Sequence, residues 1–387
     1  MAITENNLKI TATCSSGLEE ILQKEIESFG VNVDSVGKNT VQFYTDMQTL
    51  YKLNMATRTA THFFLFLKQF FFKNADEFYA KMKQILWEKH FNVNKLIRID
   101  TKGNSFVFRN SHFATLRTKD AIVDRFRENY NDRPSICKDN PEIQITVYLQ
   151  NNQAIVYLDS SGIPLFKRGY RAVHAQAPLK EDLAAGILML SGWDKKTKLI
   201  DPMCGSGTFL FEGYLMANNI APNLEREFAF MHWKNYDKKI HDEVKRELES
   251  QIISANTQFI GYDIHESPVK LAREIKNKHF PESKINIIHN DFRRINDDIS
   301  ESFIIANPPY GERVQTDNRI NDFYHEIGDF LKQKCNPGKA SILTGNLEAA
   351  KNIGLRTSKK IKLYNGPIEC RLLNFEMYQG SKKTKES

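Results

Sequence analysis

The segment SFIIANPPYGER, Ser302 to Arg313, ends an apolar run on an amide, two prolines and an aromatic ring. Neither Pro308 nor Pro309 has an N–H for a sheet ladder, and each fixes its own φ. A strand here must end at about Ala306, which leaves Asn307 on its carboxyl edge with a stiff turn and Tyr310 behind it. Such a strand end holds an amide, two free carbonyls and a ring in one fixed geometry.

A second candidate is LIDPMCGSGTFLFEG, with Asp201 at a strand end, then Gly205 and Gly207, then a helix from about Thr208. Glycines let a backbone approach a ligand closely, and the amides of a helix start point at it. A dinucleotide fingerprint needs a third glycine where Leu210 stands, which excludes a nicotinamide oxidoreductase. A phosphate loop needs Gly-Lys-Ser/Thr, and none follows. An acid before a Gly-x-Gly turn remains, suited to a ligand with a positive amino group and no phosphate. FIGYDIHE places Asp263 at the next strand end, where a carboxylate binds a ribose diol. IIHNDF places Asp291 at a third, in reach of an adenine amino group. Each acid alone reads as a cap or surface charge; the succession points to one crevice at the carboxyl edge of an open sheet.

The elements that must carry these residues follow from periodicity. From Lys167 onward strands and helices alternate: a helix over HAQAPLKEDLAAGILMLSGW with Pro178 near its first turn and Gly192 past its end, then TKLID, TFLFEGYLMA, QFIGYDI, SPVKLAREIKNKHF, KINIIHNDF, SFIIANPPY, NDFYHEIGDFLKQKC and KASILTG. This predicts a mostly parallel sheet covered on both faces, with RLLNFEMY alone as an added antiparallel strand. Residues 218–256, charged and helical in pattern, interrupt the alternation. Upstream, short mixed elements predict α+β structure: a strand and helix to Gly30, a strand over NTVQFYTD, a buried strand over Phe63–Phe72, a helix over 75–88 capped by Asn74 or Asp76, and strands over KLIRIDTKG and SFVFRNS. A helix over FATLRTKDAIVDRFREN and a hairpin with Asn151-Asn152 at its tip complete that region.

The chain has 387 residues, 41% hydrophobic and 26% charged, enough for two or three globular domains. Its net charge is +7, and residues 95–138 hold ten basic against five acidic residues, a solvated face or a nucleic-acid surface. Five scattered cysteines without a CxxC pair argue against disulfides and zinc and fit a reducing cytoplasm. The most apolar run is ten residues long and contains Lys68, too short to span a bilayer, so no membrane partner is expected.

With these motifs in place, the sequence resembles class I S-adenosylmethionine-dependent methyltransferases, specifically those acting on exocyclic amines. The resemblance implies a Rossmann-like domain with a mostly parallel seven-stranded sheet over residues 166–380. It implies a cofactor site of Asp201, Gly205, Gly207, Asp263, Asp291 and Asn307, and a catalytic motif of Asn307, Pro308, Pro309 and Tyr310. CSSGLEEILQKEIESFG and GIPLFKRGYR resemble a ferredoxin-like segment (1–60) joined to a THUMP RNA-binding domain (61–165), ahead of a disordered tail at 381–387. HAQAPLKEDLA is similar to the helix segment that closes over the cofactor in RNA-specific members. As a whole the chain resembles bacterial large-subunit ribosomal RNA guanine-N2 methyltransferases of the THUMP type, some of which carry a second methyltransferase domain that this chain ends before. Asn307 Oδ1 and the Pro308 carbonyl would accept both hydrogens of a target amine, with Tyr310 stacked on an extruded base. A sulfonium methyl is already activated, so neither a metal nor a covalent intermediate is required.

Alternatives stay open. The same four residues serve transfer RNA guanine, DNA adenine and protein glutamine, and a non-catalytic RNA-binding assembly factor would need a damaged cofactor site. Cys204 reads as a small filler, His174 and Trp193 as packing or capping groups, and Arg313 as a substrate contact or surface ion pair.

Overall fold

The computed structural model describes residues 7–171, 179–310 and 317–377. The chain forms two compact units: one holds the chain up to Cys14, Leu22–Leu165 and Asn223–Glu247; the other holds Ser15–Ile21, Phe166–Pro222 and the chain from Leu248. His174, Pro178, Arg313 and the tail lie outside the described residues.

The first unit is built on an eight-stranded sheet, from β1 (Leu8–Cys14), β2 (Val33–Gly37), β3 (Thr40–Thr45), β4 (Ala60–Phe71), β5 (Leu96–Ser105), β6 (Ser135–Ile136), β7 (Ile143–Asn151) and β8 (Gln153–Asp159). Their spatial order is β2-β3-β1-β4-β8-β7-β5-β6. Helices α1 (Glu19–Ser28), α2 (Met47–Ala56), α3 (Ala75–Lys83) and α4 (Ser111–Tyr130) are interleaved with the strands. Asn74 caps α3, accepting from the Glu77 N–H at 2.8 Å. The helix expected over 75–88 stops at Lys83, because the buried Trp87 indole takes the Met82 carbonyl at 3.2 Å and turns the chain. The strand expected over SFVFRNS is absent. Ser105 Oγ accepts from the Val107 and Phe108 amides, and the resulting turn sends Phe108 against Phe72, Phe78 and Phe113. The hairpin tip is as expected, with Asn151 at φ 57, the left-handed turn conformation that asparagine tolerates.

In chain order there follow α5 (Glu181–Ser191), β9 (Leu199–Asp201), α6 (Thr208–Ala217) and α7 (Lys238–Ser250). Of residues 218–256, expected to interrupt the alternation, 223–247 complete the first unit and the flanks belong to the second. Phe230 stacks on Tyr51 at 4.5 Å, Tyr236 and His241 meet the same ring edge-on, and the Asp237 N–H donates to the Tyr51 hydroxyl at 3.1 Å.

The second unit continues through β10 (Phe259–Asp263), α8 (Glu266–His279), β11 (Ile285–His289), β12 (Phe303–Ala306), α9 (Asp317–Lys334), β13 (Gly338–Thr344), β14 (Lys359–Asn365) and β15 (Ile368–Met377). Its seven strands lie in the order β11-β10-β9-β12-β13-β15-β14; the first five are parallel and β15 and β14 antiparallel. β14 is a second antiparallel strand where one was expected. β9 and β12 are buried along their whole length, as central parallel strands require. A core including Ile200, Tyr262, Ile304, Tyr324, Ile342 and Phe375 fixes their height. Strand order reverses at β9 and β12, which opens a crevice at their carboxyl ends.

Candidate active site

β9, β10, β11 and β12 present Asp201, Asp263, Asp291 and Asn307 at or just past their carboxyl ends, side by side in a parallel register. Between β9 and α6 the chain makes its glycine turn, with Gly205 at φ 53 and Gly207 at φ 82. Both angles lie in the left-handed region, where a side chain is strained. The Cys204 amide donates to the Tyr262 carbonyl and the Gly207 amide to the Cys204 carbonyl, each at 2.8 Å, so the turn is held to β10. No side chain caps α6 at Gly207, which leaves its first amides available to a ligand.

Asp263 ties this turn down: Oδ2 accepts from the Gly205 N–H at 2.8 Å and Oδ1 from the His265 N–H at 2.9 Å. Each carboxylate oxygen has a second lone pair, so capacity for a diol remains. Asp201 is 2% exposed and accepts from the Met203 N–H at 3.1 Å. Burial pushes its carboxyl well above the usual range, and the Asp263 charge adds in the same direction. Burial likewise raises the Cys204 thiol, in keeping with a packing residue. Asp291 is held by Arg293, whose Nη2 donates to Oδ2 at 2.6 Å; that guanidinium keeps the carboxyl below its ordinary range. Trp193 packs, its indole donating to the Thr197 carbonyl at 2.8 Å.

On the far side of the switch point, Asn307 is half-buried, Pro308 buried and Pro309 exposed. Among the described residues Asn307 Oδ1 has no hydrogen-bond partner, although it is closed off from solvent. Buried acceptors are nearly always paired, which makes this orphan beside the acids a candidate ligand contact. The Tyr310 hydroxyl accepts from Asn365 Nδ2 at 2.8 Å, and burial holds the proton on the phenol.

Sequence reasoning missed a buried charged group under the turn. Tyr170 donates to Glu212 Oε1 at 2.8 Å, and Arg168 lies 3.6 Å from the same oxygen. Arg171 Nη2 donates to Thr208 Oγ1 at 2.9 Å and the Leu179 carbonyl at 2.7 Å, and its Nε lies 3.4 Å from Glu181. Burial lifts the Glu181 carboxyl to about 7 against the pull of Arg171. The available signal was Glu212 itself, one acid inside the apolar run TFLFEGYLMA. A cavity of about 250 Å³ lined by Gly192, Asp194, Thr197, Ser302 and Gly338 lies at the opposite, amino edge of the sheet and holds none of these residues. Among the described residues, no cluster of three or more His, Cys, Asp or Glu is placed to hold a metal.

A parallel sheet reversing at β9, with a glycine turn into α6 and acids at successive strand ends, defines a class I, Rossmann-like methyltransferase domain. The chain belongs to the RMKL-like methyltransferase domain family, whose profile matches residues 168–374. Upstream, a THUMP domain profile matches residues 72–159 and an RlmL ferredoxin-like domain profile residues 9–62. A curated relative, ribosomal RNA large subunit methyltransferase K/L of Marinomonas sp. (strain MWYL1), is 34% identical over 381 residues, covering 96% of this chain and 53% of the relative. The chain thus spans about half the length of the curated relatives it matches. Among solved structures, SMU.472 complexed with SAH has TM-score 0.89 at 28% identity, covering 98% of this chain and 100% of that one. A protein from Listeria monocytogenes str. 4b F2365 described as an N6-adenine-specific DNA methylase has TM-score 0.85 at 26% identity, covering 96% of each chain.

Proposed function

We propose that this protein is an S-adenosylmethionine-dependent RNA methyltransferase acting on the exocyclic N2 of guanosine in large-subunit ribosomal RNA. The observation that carries the reading is the orphaned Asn307 Oδ1, an acceptor with no donor, on the same sheet edge as the glycine turn and its acids. Asp201 and Asp263 suit a ligand whose cationic end offsets two neighbouring carboxylates, and Asp263 keeps lone pairs for a ribose; Asp291, taken on both oxygens by Arg293, would exchange one of those contacts for an adenine amine. When bound, the cofactor supplies a sulfonium methyl; transfer breaks S–CH₃, forms N–CH₃, returns the electron pair to sulfur and releases one amine proton to solvent. Asn307 Oδ1 and the Pro308 carbonyl take the hydrogens of the target amine and so direct its lone pair toward the methyl group. Gly205 and Gly207 admit the cofactor close to the backbone, Pro308 and Pro309 hold the acceptors stiff, and Tyr310 offers its ring to the extruded base.

The RNA assignment is supported by the THUMP match and by the names of the curated relatives. The guanine assignment rests on resemblance, and the Listeria neighbour keeps adenine as the second reading. Among the described residues no helix is long and apolar enough to cross a membrane, and a cytoplasmic enzyme fits an RNA substrate. The test is incubation of purified protein with labelled S-adenosylmethionine and RNA from a deletion strain, followed by nucleoside analysis. Label in N2-methylguanosine is expected, with RNA affinity falling steeply as salt rises. Label in N6-methyladenosine, or in protein alone, defeats the guanine assignment.

A further inference from the structure

The β14–β15 hairpin brings three residues to Tyr310 that belong to none of the sequence motifs. Asn365 closes β14 and pairs with Ile368, the first residue of β15, across the turn Gly366-Pro367. From that position Asn365 Nδ2 reaches the Tyr310 hydroxyl at 2.8 Å. The hydroxyl also lies against the buried Cys370 thiol on the same hairpin. Gly345 follows β13, the strand beside β12. A Cβ built there would sit 2.7 Å from Tyr310 Cδ2, 3.0 Å from Tyr310 Cε2 and 3.0 Å from Ile368 Cγ2. No real side chain fits those distances, so the tyrosine ring lies flush on the backbone at 345 with Ile368 beside it. Ile368 is 44% exposed. The hairpin itself is cross-braced: Glu369 takes Lys362 Nζ at 2.5 Å, Arg371 Nη1 at 2.8 Å and the Tyr364 hydroxyl at 3.2 Å.

We propose that this hairpin is the positioning wall of the target-base site: Asn365 fixes the plane of the Tyr310 ring through its hydroxyl, glycine at 345 lets the ring seat, and Ile368 extends the apolar surface offered to the base. The proposal rests on the reading of Tyr310 as the stacking ring. A tyrosine whose hydroxyl is tied at its far end cannot swing about its χ1 and χ2 bonds. The ring is therefore preorganised for a base, and phenylalanine at 310 would stack but wander.

A double-mutant cycle on purified full chain tests this, using labelled S-adenosylmethionine and RNA from the deletion strain. Tyr310→Phe and Asn365→Ala each lower kcat/KM for RNA about tenfold, the worth of one good hydrogen bond. Because both remove the same contact, Tyr310→Phe/Asn365→Ala is no worse than either single variant. Gly345→Ala displaces the ring and costs on the order of 10²-fold. Calorimetric affinity for S-adenosylmethionine stays at the wild-type value in all four, which also shows that the domain has folded. Tyr310→Phe leaves the hairpin sequence intact and guards against a folding defect in Asn365→Ala. Wild-type activity in Asn365→Ala, or a double variant whose loss is the product of the two single losses, overturns the inference while leaving the enzyme reading in place. A wild-type chain that puts no methyl into RNA overturns the reading beneath it as well.

Discussion

Glu25 and Asp159 in the first unit are buried as deeply as Asp201 and Asp263 in the second, yet their surroundings differ. Glu25 accepts from the Arg58 N–H at 2.6 Å, the Thr59 N–H at 3.0 Å and the Thr59 hydroxyl. Asp159 accepts from the Ser161 and Gly162 amides and lies 2.8 Å from His62 Nδ1. Asp201 has the Met203 amide and, nearby, another carboxylate. The first pair are staples, saturated by the chain that they hold. Of the polar groups at the sheet edge, Asn307 Oδ1 has no hydrogen-bond partner among the described residues, and under the proposed function a ligand would supply one.

The contrast is easiest to break at Asn307. Asn307→Ala should lower kcat on the order of 10²–10³-fold, as for removal of one preorganised polar partner, with cofactor affinity nearly intact. Single-turnover kinetics beside calorimetry separate the two, and a matching loss in cofactor binding would move Asn307 out of the chemistry. Glu25→Ala should do the reverse: a stability loss of about 3 kcal/mol in urea, from donors left unpaired, with no change in cofactor affinity. Asp263→Ala should weaken S-adenosylmethionine binding by roughly 1–3 kcal/mol, and unchanged calorimetric affinity in a folded variant would remove it from the site.

Asp201→Asn gives the smallest effect and the most diagnostic sign. The folded carboxyl is raised above its ordinary 3.8, so the native state holds a proton that the unfolded chain releases. Its contribution to stability is full below about pH 4 and is lost as pH rises toward the folded value. The free Asp201→Asn protein should therefore melt a few degrees higher than wild type at pH 8 and no higher at pH 4. Its cofactor affinity should fall. A variant less stable than wild type at pH 8 would return Asp201 to the class of Glu25.

What could be read in advance follows from locality. Pro308 and Pro309 announce the end of β12 through their own covalent geometry, and Gly205 and Gly207 announce the turn, because these residue types act within a few positions. β14 was missed because its alternation, KKIKLYN, sets lysines on an exposed face and is too short and polar to resemble a core strand. SFVFRNS reads as a strand by propensity, and one serine hydroxyl taking two backbone amides overrides it. The Arg168–Glu212 and Asn365–Tyr310 contacts join residues 44 and 55 positions apart, where no period or spacing rule reaches. Residues 223–247 show charge and helical pattern, but not that their aromatic side chains complete a sheet domain that ends at Asp159.

That last segment bears on how such a protein can be taken apart. The chain passes from one unit to the other at Cys14, Ile21, Leu165, Pro222 and Glu247. A recombination or a cloning boundary near Leu165 looks natural on the sequence, yet a fragment beginning at Lys167 would carry Phe230 and Tyr236, with Phe228 stacked on Phe230, but not the Tyr51 ring that Phe230 and Tyr236 meet. Such a fragment would display a cluster of orphaned rings and invite aggregation. The two units are not exchangeable cassettes, because the chain interlaces them, and a transplant must move both or else graft 223–247 back onto the sheet that it left.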